Sequence, residues 1–185
     1  FDWDPRYFYR SIFSSDEEMD YFLSEICNSE WNLRQDAGRL IKEGENELIQ
    51  KFPNYTKEIQ MYYSNHRNMI KKIFQSSVDQ LFELKSYNYC CYALSNWSSE
   101  TFSGMIDEYP FLKKFDGLLI SGENKLVKPD IAIFKLAISR FKLIPEETVF
   151  VDDNLANIVA AKNLKFNTIH LTNPNNIKAE IQVFI

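Results

Sequence analysis

Two histidines, three cysteines and five glycines are all that these 185 residues contain of those three types. His66 and His170 stand far apart and in no metal-ligand spacing, so an imidazole-based metal centre is not expected and both are read as structural. Cys27, Cys90 and Cys91 are odd in number, adjacent cysteines rarely pair with each other, and no C-x-x-C spacing occurs. A disulfide framework is therefore not expected; reduced thiols in a cytoplasmic protein are, with Cys90 and Cys91 as small core residues of a strand. Lysine and arginine form no block, and the net charge is −5. Without a positive stripe to neutralise phosphates, a nucleic acid is not the expected partner. Apolar runs are no longer than a strand, and no basic segment followed by an apolar stretch opens the chain, so no membrane partner is expected.

What is present suits a globular protein, with 45% hydrophobic and 25% charged residues. From Pro5 to Gln75 charged and aromatic residues recur at helical spacing, which predicts helices over Arg6 to Phe13, Glu17 to Asn28, Trp31 to Gln35, Glu45 to Phe52 and Tyr55 to Phe74. Ser14-Ser15 and Asp16-Glu17-Glu18 supply capping chemistry at the second of these. Beyond Val78 the pattern alternates. Strands are predicted over Tyr87 to Leu94, Gly117 to Ser121, Thr148 to Val151 and Thr168 to Leu171, and helices over Ser77 to Leu84, Ser99 to Tyr109, Ile131 to Phe141 and Asn154 to Asn163. Such alternation implies right-handed crossovers and a parallel sheet.

Three of those strands end in polar residues. Ser95-Asn96 follows Tyr92-Ala93-Leu94, Ser121-Gly122 and then Lys128-Pro129-Asp130 follow Leu118-Leu119-Ile120, and Asp152-Asp153 follows Val149-Phe150-Val151. The C-terminal tips of parallel strands converge where open α/β sheets bind ligands. Two adjacent carboxylates there repel and resist desolvation, so a cation or firm hydrogen bonds must offset them, and Mg²⁺ is the hard oxygen-ligand ion that fits. Hydroxyl and amide donors, a lysine and a metal-binding pair are together what a transferring phosphoryl group requires. Singly, each has a plain structural explanation: Ser95-Asn96 as a turn, Lys128 as a loop lysine before a helix containing Pro129, Asp152-Asp153 as a helix cap. Those explanations do not account for the ordered set.

Ala93-Leu94-Ser95-Asn96-Trp97-Ser98-Ser99-Glu100-Thr101-Phe102, Lys128-Pro129-Asp130-Ile131-Ala132-Ile133-Phe134 and Val149-Phe150-Val151-Asp152-Asp153-Asn154-Leu155-Ala156-Asn157 resemble the second, third and fourth motifs of the haloacid dehalogenase superfamily, in the branch with a helical cap. Phe1-Asp2-Trp3-Asp4-Pro5-Arg6-Tyr7 resembles the segment leading into that cap. The resemblance implies an α/β, Rossmann-like parallel core formed by residues 1–4 and 76–185, with an inserted helical cap at 5–75. It implies that Ser95, Asn96 and Lys128 hold the substrate phosphate, that Asp153 is the direct Mg²⁺ ligand, that Asp152 supports it or orients Lys128, and that Asn157 braces the site.

The same resemblance implies a nucleophilic aspartate at the end of a central first strand. Asp2-Trp3-Asp4 mimics its D-x-D pattern, but no apolar strand precedes Asp2 and Pro5-Arg6-Tyr7 follows at once. The nucleophile is therefore expected upstream of Phe1, in a longer polypeptide. The expected activity is a Mg²⁺-dependent phosphatase acting on a small phosphorylated metabolite through an aspartyl-phosphate, in a monomer or homodimer. A 2-haloacid dehalogenase is one alternative, disfavoured by Asp152-Asp153; a non-catalytic phosphate- and metal-binding protein is another. A response-regulator receiver is set aside because its acidic pair comes first in the chain. Trp31, Arg34, Tyr62, Tyr63 and Arg67 are possible substrate contacts in the cap.

Overall fold

The computed structural model describes every residue from Phe1 to Ile185. Its order is β1 (Asp2–Trp3), α1 (Arg6–Tyr9), α2 (Asp16–Tyr21), α3 (Ser29–Asp36), α4 (Ile41–Lys51), α5 (Thr56–Ser64), β2 (Ile70–Lys72), α6 (Gln75–Ser86), β3 (Tyr92–Ser95), α7 (Ser99–Phe102), α8 (Met105–Glu108), β4 (Gly117–Ile120), α9 (Ser121–Asn124), α10 (Ile131–Phe141), β5 (Val149–Asp152), α11 (Leu155–Asn163), β6 (Asn167–His170) and α12 (Ile177–Ile181). No helix is long and apolar enough to cross a membrane.

Helices α1 to α5 gather around their own apolar core, which includes Tyr9, Phe22, Ile26, Ile59, Tyr62 and Met69. Their ends follow local chemistry. Ser15 accepts the N–H of Glu18 at 3.1 Å, with three acidic residues in the first turn of α2, and Asn28 accepts the N–H of Trp31 at 2.8 Å to open α3. Trp31, Tyr62 and Tyr63 are core residues of this block, not substrate contacts: each is buried, and Trp31 Nε1 donates to the carbonyl of Gly44 at 3.1 Å. Aromatics at helical spacing went inward because burying such a ring removes more apolar area from water than any other choice.

The helix expected over Tyr55 to Phe74 ends at Ser64. Asn65 Nδ2 turns back to the carbonyl of Met61 at 3.1 Å, a 3₁₀ turn covers His66–Met69, and Ile70–Lys72 pairs antiparallel with Asp2–Trp3. That pairing spans the whole helical block in sequence, which local periodicity does not register. The helix expected over Ser99 to Tyr109 is broken into α7 and α8 at Gly104, whose φ of +86° lies in the left-handed region. The strand expected from Tyr87 begins at Tyr92, so Cys90 is exposed in the preceding loop and is no core residue.

The remaining residues form the expected α/β arrangement with parallel strands. β3 runs parallel to β4 in the register Tyr92 to Gly117 through Ser95 to Ile120, and β5 parallel to β6 from Val149 to Asn167 through Asp152 to His170. Instead of one continuous sheet these are two separate pairs, so each of the four strands, β3 and β5 included, has one edge without a ladder partner. Helices α10 and α11 pack Ile133, Phe134, Ala137, Ala160 and Ala161 against Leu119 between and beneath them. Asp130 caps α10 through the N–H of Ala132, and Asn154 caps α11 through that of Ala156. Helix α11 therefore starts three residues after the end of β5.

Candidate active site

Ser95, Asn96, Asp152, Asp153 and Asn157 lie at strand tips or in the first turns beyond them, and Lys128 lies in the loop between α9 and α10. Asn96 and Lys128 make a two-way bond: Asn96 Nδ2 donates to the Lys128 carbonyl at 2.9 Å, and the Lys128 N–H donates to Asn96 Oδ1 at 2.8 Å. The amide thus substitutes for a ladder partner and fixes the lysine backbone beside the β3 tip. Lys128 Nζ then reaches Asp152 Oδ2 at 2.7 Å. The other Asp152 oxygen accepts from the N–H of Asn154 at 2.9 Å and from Asn157 Nδ2 at 2.9 Å. Lys128 and Asp152 side chains are 11% and 6% exposed, so water screens their attraction little.

The two members of the carboxylate pair have different surroundings. Asp152 spends both oxygens on protein donors, whereas the Asp153 side chain is exposed and only its backbone carbonyl is engaged, by His170 Nε2 at 2.9 Å. A free carboxylate of this kind suits a hard cation such as Mg²⁺, which keeps several waters and takes one or two carboxylates beside a phosphate. No cluster of three or more histidine, cysteine or acidic side chains forms a metal cage.

Ser95 closes β3, and the loop after it is clamped to the tip of β4. The Trp97 N–H donates to Ser121 Oγ at 2.8 Å, and the Gly122 N–H donates to the Trp97 carbonyl at 3.1 Å. A Cβ on Gly122 would lie 2.4 Å from the Ser99 nitrogen, so the approach of the two loops requires glycine. Ser121, seen in the sequence only as the polar end of a strand and given no role there, holds the loop after β3, and His170, read as structural, braces the Asp153 backbone. Of the cap candidates that remain, Arg34 pairs with Glu30 and Glu47 on the surface, and Arg67 pairs with Glu108.

The haloacid dehalogenase-like hydrolase family model matches residues 24–171, and the chain belongs to that family. It is 29% identical over 90 residues to a sesquiterpene phosphatase, astK, of Aspergillus oryzae (strain ATCC 42149 / RIB 40), covering 49% of this chain and 46% of that protein. It is 27% identical over 103 residues to (S)-2-haloacid dehalogenase 4A of Burkholderia cepacia, covering 56% of this chain and 45% of that one. The matched parts thus span less than half of either relative. A haloacid dehalogenase family enzyme of Bacteroides thetaiotaomicron, solved with magnesium and inorganic phosphate, superposes with a TM-score of 0.64 at 23% identity, covering 88% of this chain and 82% of that one. The protein is a haloacid dehalogenase-like hydrolase by family, with phosphatases and dehalogenases both among its relatives.

Proposed function

We propose that this hydrolase is a Mg²⁺-dependent phosphatase that cleaves a small phosphorylated metabolite through an aspartyl-phosphate. The observation that carries the reading is the division of labour in the acidic pair: Asp152 is consumed in holding Lys128, and Asp153 is left free. A lysine held this way presents positive charge to the phosphoryl oxygens, and Ser95 with the loop beyond it offers hydroxyl and N–H donors. Asp153 would hold the Mg²⁺, which when bound neutralises charge developing on the phosphoryl group. The magnesium and phosphate bound by the Bacteroides enzyme favour the same assignment. A dehalogenase, suggested by the Burkholderia relative, has no use for a free metal-binding carboxylate at Asp153.

The attacking aspartate would come from a strand seated between β3 and β5, upstream of Phe1. Both strands have an unpaired edge, and Lys128 ties their tips together through Asn96 and Asp152. A cavity of about 230 Å³, lined by Ala93 and Ser95 of β3 and by apolar side chains of α6 and β4, would receive the side chains of such a strand. The test is phosphatase activity of the full-length protein on a panel of phosphorylated metabolites, with and without Mg²⁺. Activity that ignores Mg²⁺ and survives Asp153→Ala would overturn the proposal.

A further inference from the structure

The free carboxylate of Asp153 projects from a backbone that is held on both sides. β6 runs parallel to β5 with His170 beside Asp152, and the Leu171 N–H donates to the Asp152 carbonyl at 3.0 Å, which fixes the peptide group before Asp153. The peptide group after it is held at both ends. Its N–H, that of Asn154, donates to Asp152 Oδ1 at 2.9 Å, and its carbonyl, that of Asp153, lies 2.9 Å from His170 Nε2. A carbonyl only accepts, so the ring nitrogen facing it carries the hydrogen. No backbone N–H competes for that carbonyl: the Asn157 and Ile158 N–H groups in the first turn of α11 both donate to the carbonyl of Asn154 instead, at 3.0 and 3.1 Å. A residue has only two soft backbone dihedrals, so fixing the peptide planes on either side sets the direction of its side chain.

We infer that His170 is a positioning residue for cation binding: by holding the Asp153–Asn154 peptide group from β6 it presents the Asp153 carboxylate in one direction, and the affinity for Mg²⁺ depends on that bond. The inference rests on the reading that puts Mg²⁺ on Asp153. A purely structural tie gives a poorer account of the contact, because His170 is exposed and the ladder from β6 already reaches Asp152 through the Leu171 N–H. What the imidazole adds is orientation of an exposed turn. A partner standing one step behind a metal ligand contributes about ten- to hundredfold in metal affinity.

The experiment uses the full-length protein and nuclear magnetic resonance, with Mg²⁺ alone as the probe. In the metal-free wild type at about pH 8, above the ordinary histidine range, the ¹⁵N shifts of the His170 ring should show the hydrogen on Nε2. The amide signals of Asp153 and Asn154 are then followed against Mg²⁺ concentration in wild type, His170→Ala, His170→Asn and His170→Gln. The Mg²⁺ dissociation constant is expected to rise at least tenfold in the alanine variant. Glutamine carries its amide nitrogen about where Nε2 lies and should restore most of the affinity, whereas the shorter asparagine should not. A hydrogen on Nδ1, an unchanged dissociation constant in His170→Ala, or asparagine serving as well as glutamine overturns the inference. Asp153→Ala separates this from the metal placement: if that variant binds Mg²⁺ like wild type, the placement and the inference fall together, and if it loses Mg²⁺ while His170→Ala does not, the inference alone falls.

Discussion

Lys128 Nζ lies 2.7 Å from Asp152 Oδ2 across a gap between two strand pairs that share no backbone ladder. It links the tip of β5 to the β3 tip, since Asn96 holds the lysine backbone from the other side. Removing one partner of a buried ion pair strands the other charge. Lys128→Ala is expected to destabilise the protein by about 2–4 kcal/mol, because Asp152 retains only its bonds to Asn154 and Asn157. Urea unfolding of variant and wild type measures this, and phosphatase activity should fall at least a hundredfold.

Asp153 should behave in the opposite way. Its side chain is exposed and pairs with nothing, so Asp153→Ala is expected to leave the unfolding midpoint within the spread of neutral surface substitutions, about 0.5 kcal/mol. The same change should abolish the response of activity to added Mg²⁺. A variant that still loses activity to a chelator and regains it with Mg²⁺ would place the metal elsewhere.

Two groups at the junction of the blocks should oppose each other in pH dependence. Burial pushes the Asp36 carboxyl up to about 7, and burial pushes His66 down to about 4, with Arg67 adding to the effect at the histidine. Between the ordinary carboxylate value and pH 7 the native state binds more protons at Asp36 than the unfolded chain does, so this term weakens the fold as pH rises. At His66 the unfolded chain binds more protons between pH 4 and 6.5, so this term strengthens the fold as pH rises. Wild-type stability should therefore change little from these two sites between pH 4 and 6.5. Asp36→Asn should uncover the His66 slope, losing on the order of 2–3 kcal/mol toward acid relative to wild type. Chemical denaturation at several pH values reads the difference, and parallel curves for the two proteins would contradict it.

Gly122→Ala puts a methyl group 2.4 Å from the Ser99 nitrogen and 2.8 Å from the Trp97 carbonyl oxygen, backbone atoms that cannot step aside singly. A loss of about 3 kcal/mol is expected from the forced separation of the β3 and β4 loops. Because those loops carry Ser95 and Asn96, KM for a phosphorylated substrate should rise as well. Thermal unfolding and steady-state kinetics check the two effects.

Much of this was legible in one dimension. The α10 helix occupies Ile131–Phe141 as its apolar spacing predicts, and the strand ending in Asp152 stops where two carboxylates interrupt the β-branched run. Both are local effects: periodicity sets which face is buried, and charge ends a buried strand. The motif residues were visible because side-chain chemistry at a strand end is written in consecutive positions.

What the sequence determined by itself is therefore the class of fold and the chemistry at the strand tips. What only the tertiary structure decided is how that chemistry is shared out. That Asp152 is spent on Lys128 while Asp153 stays free, and that Ile70–Lys72 leaves the helix to pair with Asp2–Trp3, both depend on contacts between residues distant along the chain. Such contacts form only when the packing of several elements brings a donor and an acceptor together. Hydrogen bonds of that kind are directional and short-ranged, so no local pattern encodes them.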